Sequence, residues 1–386
     1  MNYLLRLIMR NTLRHPLRTG LTVIGIIVAI TAFGLLRTTV EAWYAGAEAS
    51  SASRLIVRNK NSLTFPLPLH YFGRIRQIEG VKSVSMAQWF AGVYIDKKNF
   101  FPQFAVDART YFPLYPEFVV PDSQMKDFLL DRRGCIAGRK LVTKFGWKIG
   151  DQIPLIGTIY QGNWSFVLRG IYDGANSKTD ETQFFFHWDM LNETLKKIAP
   201  DAANEIGIFL VGLENPRDAP LVSQRIDVQF RNSRAETLTE TEKAFQLSFV
   251  AMTEAILLVI QVVSFLIVII IMAVMANTMA MTARERRREY ATLKALGFRS
   301  SYIAALILGE SMFIALTAGA VAIWLIHPAA AYVGHRFGTI FPIFTVSEKT
   351  QIMAAIAALL VGVVAALPPA IRAATVKVSE GFRAVG

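Results

Sequence analysis

The sequence predicts an α-helical membrane protein with four transmembrane helices, one before and three after a large α+β extracytoplasmic domain on a helical stalk. Three observations carry that reading. Four runs are apolar over about 20 residues, the length needed to cross about 30 Å of hydrocarbon. Roughly 200 residues of mixed pattern separate the first run from the second, too many for a loop and right for a folded domain. The basic residues crowd into the short segments that flank the runs. The chain of 386 residues thus divides into 1–40, an amphipathic helix and the first span; 41–249, the outer domain with its stalk; and 250–386, three spans with a cytoplasmic helix and tail.

Taken in order, Leu4, Leu5, Leu7 and Ile8 mix with Arg6 and Arg10, the pattern of a helix lying along the inner membrane surface. Pro16 is placed to turn the chain into the bilayer, and Leu21–Val40 is the first span. Its length exceeds the roughly 7–15 apolar residues of a signal peptide, which argues against cleavage near Ala45-Gly46-Ala47. Alanine-rich Glu41–Ser53 carries the helix outward. In the outer domain, Leu55–Arg58, Val81–Met86, Phe104–Val106, Ile153–Ile156, Phe166–Ile171, Phe184–Phe186 and Ile206–Leu213 read as strands. Leu69–Ile78, Arg139–Phe145, Met190–Ile198 and Ala219–Phe230 read as helices, with Gly80, Gly146 and Gly150 as breaks. Thr239 and Glu242 have capping-box spacing. Neither Pro nor Gly occurs between Thr241 and Met281, which predicts one unbroken rod of about 60 Å. The remaining spans are about Ala255–Ala276, Ile303–Ile326 and about Gln351–Leu367, the last stopping at Pro368-Pro369, with Pro328–Lys349 as a short outer connection.

The formal charge of +12 raises nucleic acid as a partner, so its distribution decides. The first twenty residues, Thr282–Ser301 and Ala370–Gly386 hold thirteen Lys/Arg against three acids, whereas Glu41–Phe249 holds 25 against 23. That is the positive-inside pattern of a membrane protein and leaves no nucleic-acid-binding face. It places both termini and the middle loop in the cytoplasm, consistent with an even number of crossings. Cys135 is the only cysteine, so the chain holds no internal disulfide.

The segment Met281–Tyr302 stands out between two spans. Arg284, Arg286, Arg287, Arg288, Lys294 and Arg299 face only Glu285 and Glu289. Helix formers fill Ala283–Leu296, and Gly297 sits where a C-terminal glycine cap belongs. Tyr290, Leu293, Ala295 and Leu296 give the helix an apolar stripe beside its cationic face. A loop that only turned round would need no such helix, so a cytosolic partner is expected to dock on it.

Enzyme chemistry is missing. There is no GxxxxGK[ST]; the nearest fragment, Gly134–Lys140, has the wrong spacing. His15, His70, His187, His327 and His335 show no ligand spacing, and no GxSxG occurs. Asp173, Asp180 and Glu181 read as a solvated polar turn. Polar groups within spans are costly and therefore informative. Glu254 lies near the outer end of the second span and Asn277 near its inner end. Glu310 lies two turns into the third, where neighbouring Gly309 and Ser311 predict close packing and a buried partner.

Arg286–Gly297, RRREYATLKALG, resembles the cytoplasmic coupling helix of MacB/FtsX-type ABC transporter permeases, the match falling on Arg286, Arg288, Glu289, Leu293, Lys294, Ala295, Leu296 and Gly297. Arg10–Val28 is similar to the family's run into its first span, and Pro369–Ala374 with Val378–Arg383 to its closing segment, from which Lys377-Val378 and Gly381-Phe382 depart. Gly138–Asp151 looks like a stretch of MacB-type outer domains. The resemblance implies a non-enzymatic permease in the inner membrane, with Arg286, Arg288, Glu289, Leu293, Lys294, Leu296 and Gly297 (in the helix 283–297) coupling it to a cytosolic ABC ATPase dimer. MacB carries its ATPase on the same chain; none is present here, so ATP and Mg belong to a separate subunit and this chain binds no cofactor. The further partners implied are a second permease copy, a periplasmic adaptor and an outer-membrane channel. In this mechanotransmission scheme, motion of the ATPases reaches the periplasmic domain to export or extract substrate. The alternatives are an FtsX-like signalling permease that activates a cell-wall hydrolase, a lipoprotein-releasing permease, or an unrelated membrane sensor or enzyme.

Overall fold

The apolar runs fold as helices that outreach the runs on both sides. In the computed structural model, which describes residues 8, 10–12, 14–337, 341 and 343–375, α1 spans Pro16–Ala49 with its proline at the start, where the missing N–H is not needed. Thirteen strands follow: β1 (Arg54–Asn59), β2 (Leu67–Pro68), β3 (Val81–Trp89), β4 (Gly92–Val93), β5 (Gln103–Val106), β6 (Phe118–Val119), β7 (Gly134–Gly138), β8 (Gln152–Gly157), β9 (Gly162–Gly174), β10 (Phe184–His187), β11 (Glu205–Ile206), β12 (Ile208–Leu213) and β13 (Thr237–Thr241). Helices α2 (Tyr71–Arg76), α3 (Tyr111–Leu114), α4 (Asp122–Leu130), α5 (Arg139–Phe145), α6 (Trp188–Ile198), α7 (Ala219–Gln229) and α8 (Glu242–Ala251) lie among and after them. The chain continues through α9 (Glu254–Glu285), α10 (Arg287–Ala295), α11 (Ser300–Phe337) and α12 (Glu348–Thr375). Helices α1, α9, α11 and α12 are long and apolar enough to cross a membrane. The surface helix expected around Leu4–Leu7 and the tail at Lys377–Arg383 lie outside the described residues.

The molecule divides into two units, one of Met1–Ala42, Thr253–Arg336 and Phe344–Gly386, the other of Trp43–Met252 with Phe337–Ile343. In the first, close approach of backbones replaces the hydrophobic force that lipid cannot supply. Gly25 of α1 faces Ile271 of α9, and Gly34 lies so near Ile326 of α11 that any side chain there would collide. Between α11 and α12, a Cβ on Gly319 would fall 2.5 Å from that of Ala358, and the Ser311 hydroxyl donates to the Gly362 carbonyl at 2.6 Å. The prolines correct two expectations: α11 runs through Pro328, shortening the outer connection, and α12 runs through Pro368-Pro369 instead of stopping. Buried Ala330, Ala370 and Ala373 continue the packing past them, and lost helical bonds are tolerated where neighbouring helices hold the segment.

The second unit is built on a mixed sheet of order β13-β1-β12-β3-β5-β10-β7-β9-β8-β4, with β6 beside β9 and a separate β11–β2 pair. Most neighbours are antiparallel, but β5–β10 and β7–β9 are parallel. Side chains alternate between faces, and both are covered. Leu55, Val57, Phe184, Phe186, Phe209 and Val211 pack on one side with Ile75 of α2 and Leu141 of α5. Ile56, Phe185 and Leu210 pack on the other with Phe112 of α3 and Phe128 of α4.

Five strands and two helices escaped the sequence reading, among them the two-residue β2, β4 and β6. The Gly134–Gly138 fragment is β7, buried on both faces, so it shows no alternation. β13 takes Thr239 and Thr241 because it pairs with β1 in the register Leu55↔Thr241. The Thr239–Glu242 capping box is therefore corrected: Thr239 is held by Asp227, and the Thr241 hydroxyl caps α8 by accepting from Ala244 N–H at 3.2 Å. The short α3 and α4 were also unread, and Ile206–Leu213 divides at Gly207. The unbroken rod is corrected too. α8 ends at Ala251, Thr253 takes φ −112° and ψ 8°, and α9 restarts at Glu254 with an acidic first turn. Gly80, Gly146 and Gly150 all break the chain at positive φ. The acidic turn is more ordered than a solvated one: Arg139 donates twice to Asp173 at 2.8 Å, and Glu181 accepts from Gly174 N–H.

Two predictions follow from this packing. Leucine at Gly319 overfills the α11–α12 contact and is expected to destabilise the bundle by about 1–3 kcal/mol, read as a lower unfolding temperature of the detergent-solubilised chain; an unchanged midpoint would refute the packing. His187, buried with Nε2 2.8 Å from the Phe128 carbonyl, has its pKa lowered below the ordinary 6.5 by burial. The unfolded chain therefore takes up this proton first, so the contribution is intact above pH 6.5 and lost as pH falls below it. His187→Gln should flatten that part of the stability–pH curve, and an identical curve would count against the assignment.

Candidate functional site

The basic segment between the second and third spans folds as an elbow of two pieces. The expected single helix over 283–297 is corrected: α9 continues to Glu285, Arg286 breaks it at φ −96° and ψ 11°, and α10 restarts at Arg287. α10 ends in a Schellman cap. Gly297 has φ +90°, its N–H donates to the Lys294 carbonyl at 3.0 Å, and the Phe298 N–H donates to the Leu293 carbonyl at 3.1 Å. Glycine is needed there because only it adopts that left-handed turn without strain. α11 then begins at Ser300.

The break lets Arg286 turn inward. Its Nη1 donates to Glu310 Oε2 of α11 at 3.0 Å and its Nε to Glu289 Oε2 of α10 at 3.0 Å. The guanidinium also lies 5.5 Å from the Tyr290 ring centre. Glu310 is 6% exposed, so the expected buried partner exists, and it is Arg286. Burial opposes the charge on Arg286, yet Tyr290 and the hydrogen bond to Glu289 outweigh it and raise the pKa above the ordinary arginine value. Burial likewise works against ionised Glu289, but bonds from Arg286 and Arg14 lower its pKa.

A second layer joins the N-terminal segment to the elbow. Arg18 donates twice to Glu285, at 2.8 Å each, Arg14 donates to Glu289, and His15 lies 3.8 Å from Glu285. The sequence reading missed these partners, although a signal was present. Arg14 and Arg18 are four residues apart, as are Glu285 and Glu289, and the matched spacing lets the two segments pair charge against charge.

The other candidate residues separate by burial. Tyr290 and Ala291 are buried in the bundle and Leu293 is half-buried against it, whereas Ala295 and Leu296 are exposed, so the expected apolar stripe divides between inside and outside. Leu296 is 71% exposed and Phe298 42%, alongside exposed Arg284, Arg287, Arg288 and Arg299; Lys294 is half-buried. The outward face of the elbow is thus a small apolar tip in a cationic field, suited to an acidic, apolar-lined groove. Glu254 and Asn277 are exposed on α9 and stand apart from the network. Two further charged groups of α1, Arg37 and Glu41, were passed over; Glu41 accepts from the Ser347 hydroxyl at 2.6 Å.

Removing one partner of a buried ion pair costs about 3–5 kcal/mol, more than losing an exposed pair. Arg286→Met should therefore lower the unfolding temperature of the solubilised chain strongly, and Arg286→Met with Glu310→Leu should recover most of the loss. Wild-type unfolding of the single variant would show that the pair does not hold the elbow.

Against known proteins, residues 261–378 match the FtsX-like permease C-terminal family. Solved structures that resemble the chain include the extracellular domain of the noncanonic ABC-type transporter YknZ from Gram-positive bacteria, at 14% identity and a TM-score of 0.36, covering 49% of this chain and 100% of that one. Another is a domain of a protein described as a permease from Porphyromonas gingivalis, at 13% identity and a TM-score of 0.34, covering 49% and 90%. Scores this low carry no argument. A comparison with curated proteins finds no match.

Proposed function

Since the chain is an FtsX-like permease of the ABC-transporter class, we propose that it is the permease subunit of a MacB-type transporter in the inner membrane, converting the motion of a separate ATPase into movement of its outer domain. The observation that carries the reading is the two-sidedness of the elbow. Its outward face offers Leu296 and Phe298 among exposed arginines, while its inward face is fastened to α11 through Arg286–Glu310 and to the N-terminal segment through Arg14 and Arg18. A push on α10 would therefore displace the bundle, because no slack loop lies between them to absorb it.

In this reading the termini and the elbow are cytoplasmic, which the positive-inside bias supports. ATP and Mg are held by the ATPase dimer, and the permease does the mechanical work without chemistry of its own. A second permease copy completes the assembly, and a periplasmic adaptor, with an outer-membrane channel, receives what the outer domain exports or extracts. Arg288, Glu289, Lys294 and Gly297 shape the docking helix, and Leu296 is the side chain that enters the partner.

The test is a pair of aspartates. Leu296→Asp puts a charge into the docking contact and should leave insertion and unfolding temperature unchanged while the co-purifying ATPase is lost. Leu293→Asp, half-buried against the bundle, should destabilise the permease itself. An ATPase that still co-purifies with Leu296→Asp and still hydrolyses ATP in a permease-dependent way would overturn the docking assignment.

A further inference from the structure

Within the second unit, the segments that enter from α1 and leave into α8 meet at a buried set of charges. Arg54 opens β1 and is 5% exposed; Glu242 opens α8 and is 7% exposed. Arg54 Nε donates to Glu242 Oε2 at 2.8 Å, and Nη1 donates to the Leu114 carbonyl and to Glu117 Oε2, both at 3.1 Å. Nη2 donates to the other Glu117 oxygen, and the guanidinium stacks 4.1 Å from the Tyr115 ring centre. Glu242 Oε2 also accepts from Ser51 N–H at 2.9 Å, two residues past the end of α1. Near this point Gly46 faces Gln246 of α8, and Ala47 and Val250 are buried.

A buried charge set is a poor way to gain stability, since apolar residues of similar volume do as well or better. What it supplies is direction: a planar guanidinium bonded to two carboxylates fixes their separation and angle, whereas apolar faces can slide. Its place matters equally. Glu242 follows β13 directly, and β13 pairs with β1 beside Arg54, so the charges lock the exit helix to the sheet where the entry segment arrives.

We propose that Arg54, Glu117 and Glu242 are positioning residues for force transfer, a clamp that makes the end of α1 and the start of α8 a single strut. This rests on the mechanical reading of the permease, but its first test does not. Spin labels at Glu48→Cys and Lys243→Cys, both exposed, report the separation of the two segments in the full chain; Cys135 is fully buried. The unsubstituted clamp should give one narrow distance distribution. Arg54→Met with Glu117→Leu and Glu242→Gln should stay folded and lose the single peak. Arg54→Lys, which keeps the charge and loses the fork, should broaden it partially and serves if the triple variant does not fold. A narrow, unshifted distribution in a folded clamp variant overturns the proposal. The second test reconstitutes the permease with its ATPase: hydrolysis should persist in the clamp variant while substrate export or extraction is lost. Export at the wild-type rate with a broadened distribution would refute the role in force transfer. If the unsubstituted permease stimulates no ATPase, the mechanical reading falls while the distance measurement still decides whether the clamp holds.

Discussion

Glu310 sets the problem that the membrane unit solves. A carboxylate buried on an apolar helix must be answered by a partner that stays charged, and arginine is the side chain that does so while offering directed donors. Arg286 reaches it because α9 stops at Glu285 and the chain turns there. The break, the inward turn of Tyr290 and the outward turn of Leu296 accompany that reach. The surrounding ladder of Arg14, Arg18, Glu285 and Glu289 is largely exposed, where water screens an ion pair and leaves it little net stabilisation. The buried pair therefore fixes the elbow, and the exposed ladder aligns the N-terminal segment on a geometry already set.

The second unit obeys a different constraint. Its sheet is covered on both faces, so alternate residues of one strand serve two cores, as Phe184 and Phe186 serve one and Phe185 the other. Such a sheet admits few polar side chains, and Gln103 and Arg54 enter it with bonds in place. The buried Gln103 amide closes β4 by donating to the Gly92 carbonyl at 2.8 Å. Arg54 is the charged instance of the same rule: it enters only with its carboxylates in place.

Legibility of the sequence tracked the kind of physics each residue obeys. The spans were readable because lipid imposes length and composition, and the short outer strands because alternation marks a face. Arg139–Phe145 was readable because Gly146 ends it. β7 was not, since burial on both faces erases alternation, and neither was β13, since pairing with β1 overrode a local capping pattern. The prolines in α11 and α12 misled because a local rule yields where neighbouring helices hold the backbone. At the elbow, Gly297 and the buried partner of Glu310 were legible from local chemistry. Which arginine would answer, and that Leu293 would face inward, depended on where a third element lay.

α9 is the span that the chain itself holds least. In its most apolar stretch 22% is buried, against 50% for α11 and 44% for α12. It also carries a break at each end, Met252–Thr253 before it and Arg286 after it. Its covered side, through Val268, Ile271 and Met275, packs into the bundle core, and its backbone hydrogen bonds keep it rigid lengthwise. By contrast α11, threaded by small residues against α12 and by Gly34 against α1, cannot shift without opening close contacts. α11, tied to the elbow through Glu310, is thus the anchored member of the bundle, and α9 is the span with most of its apolar surface left uncovered by the chain.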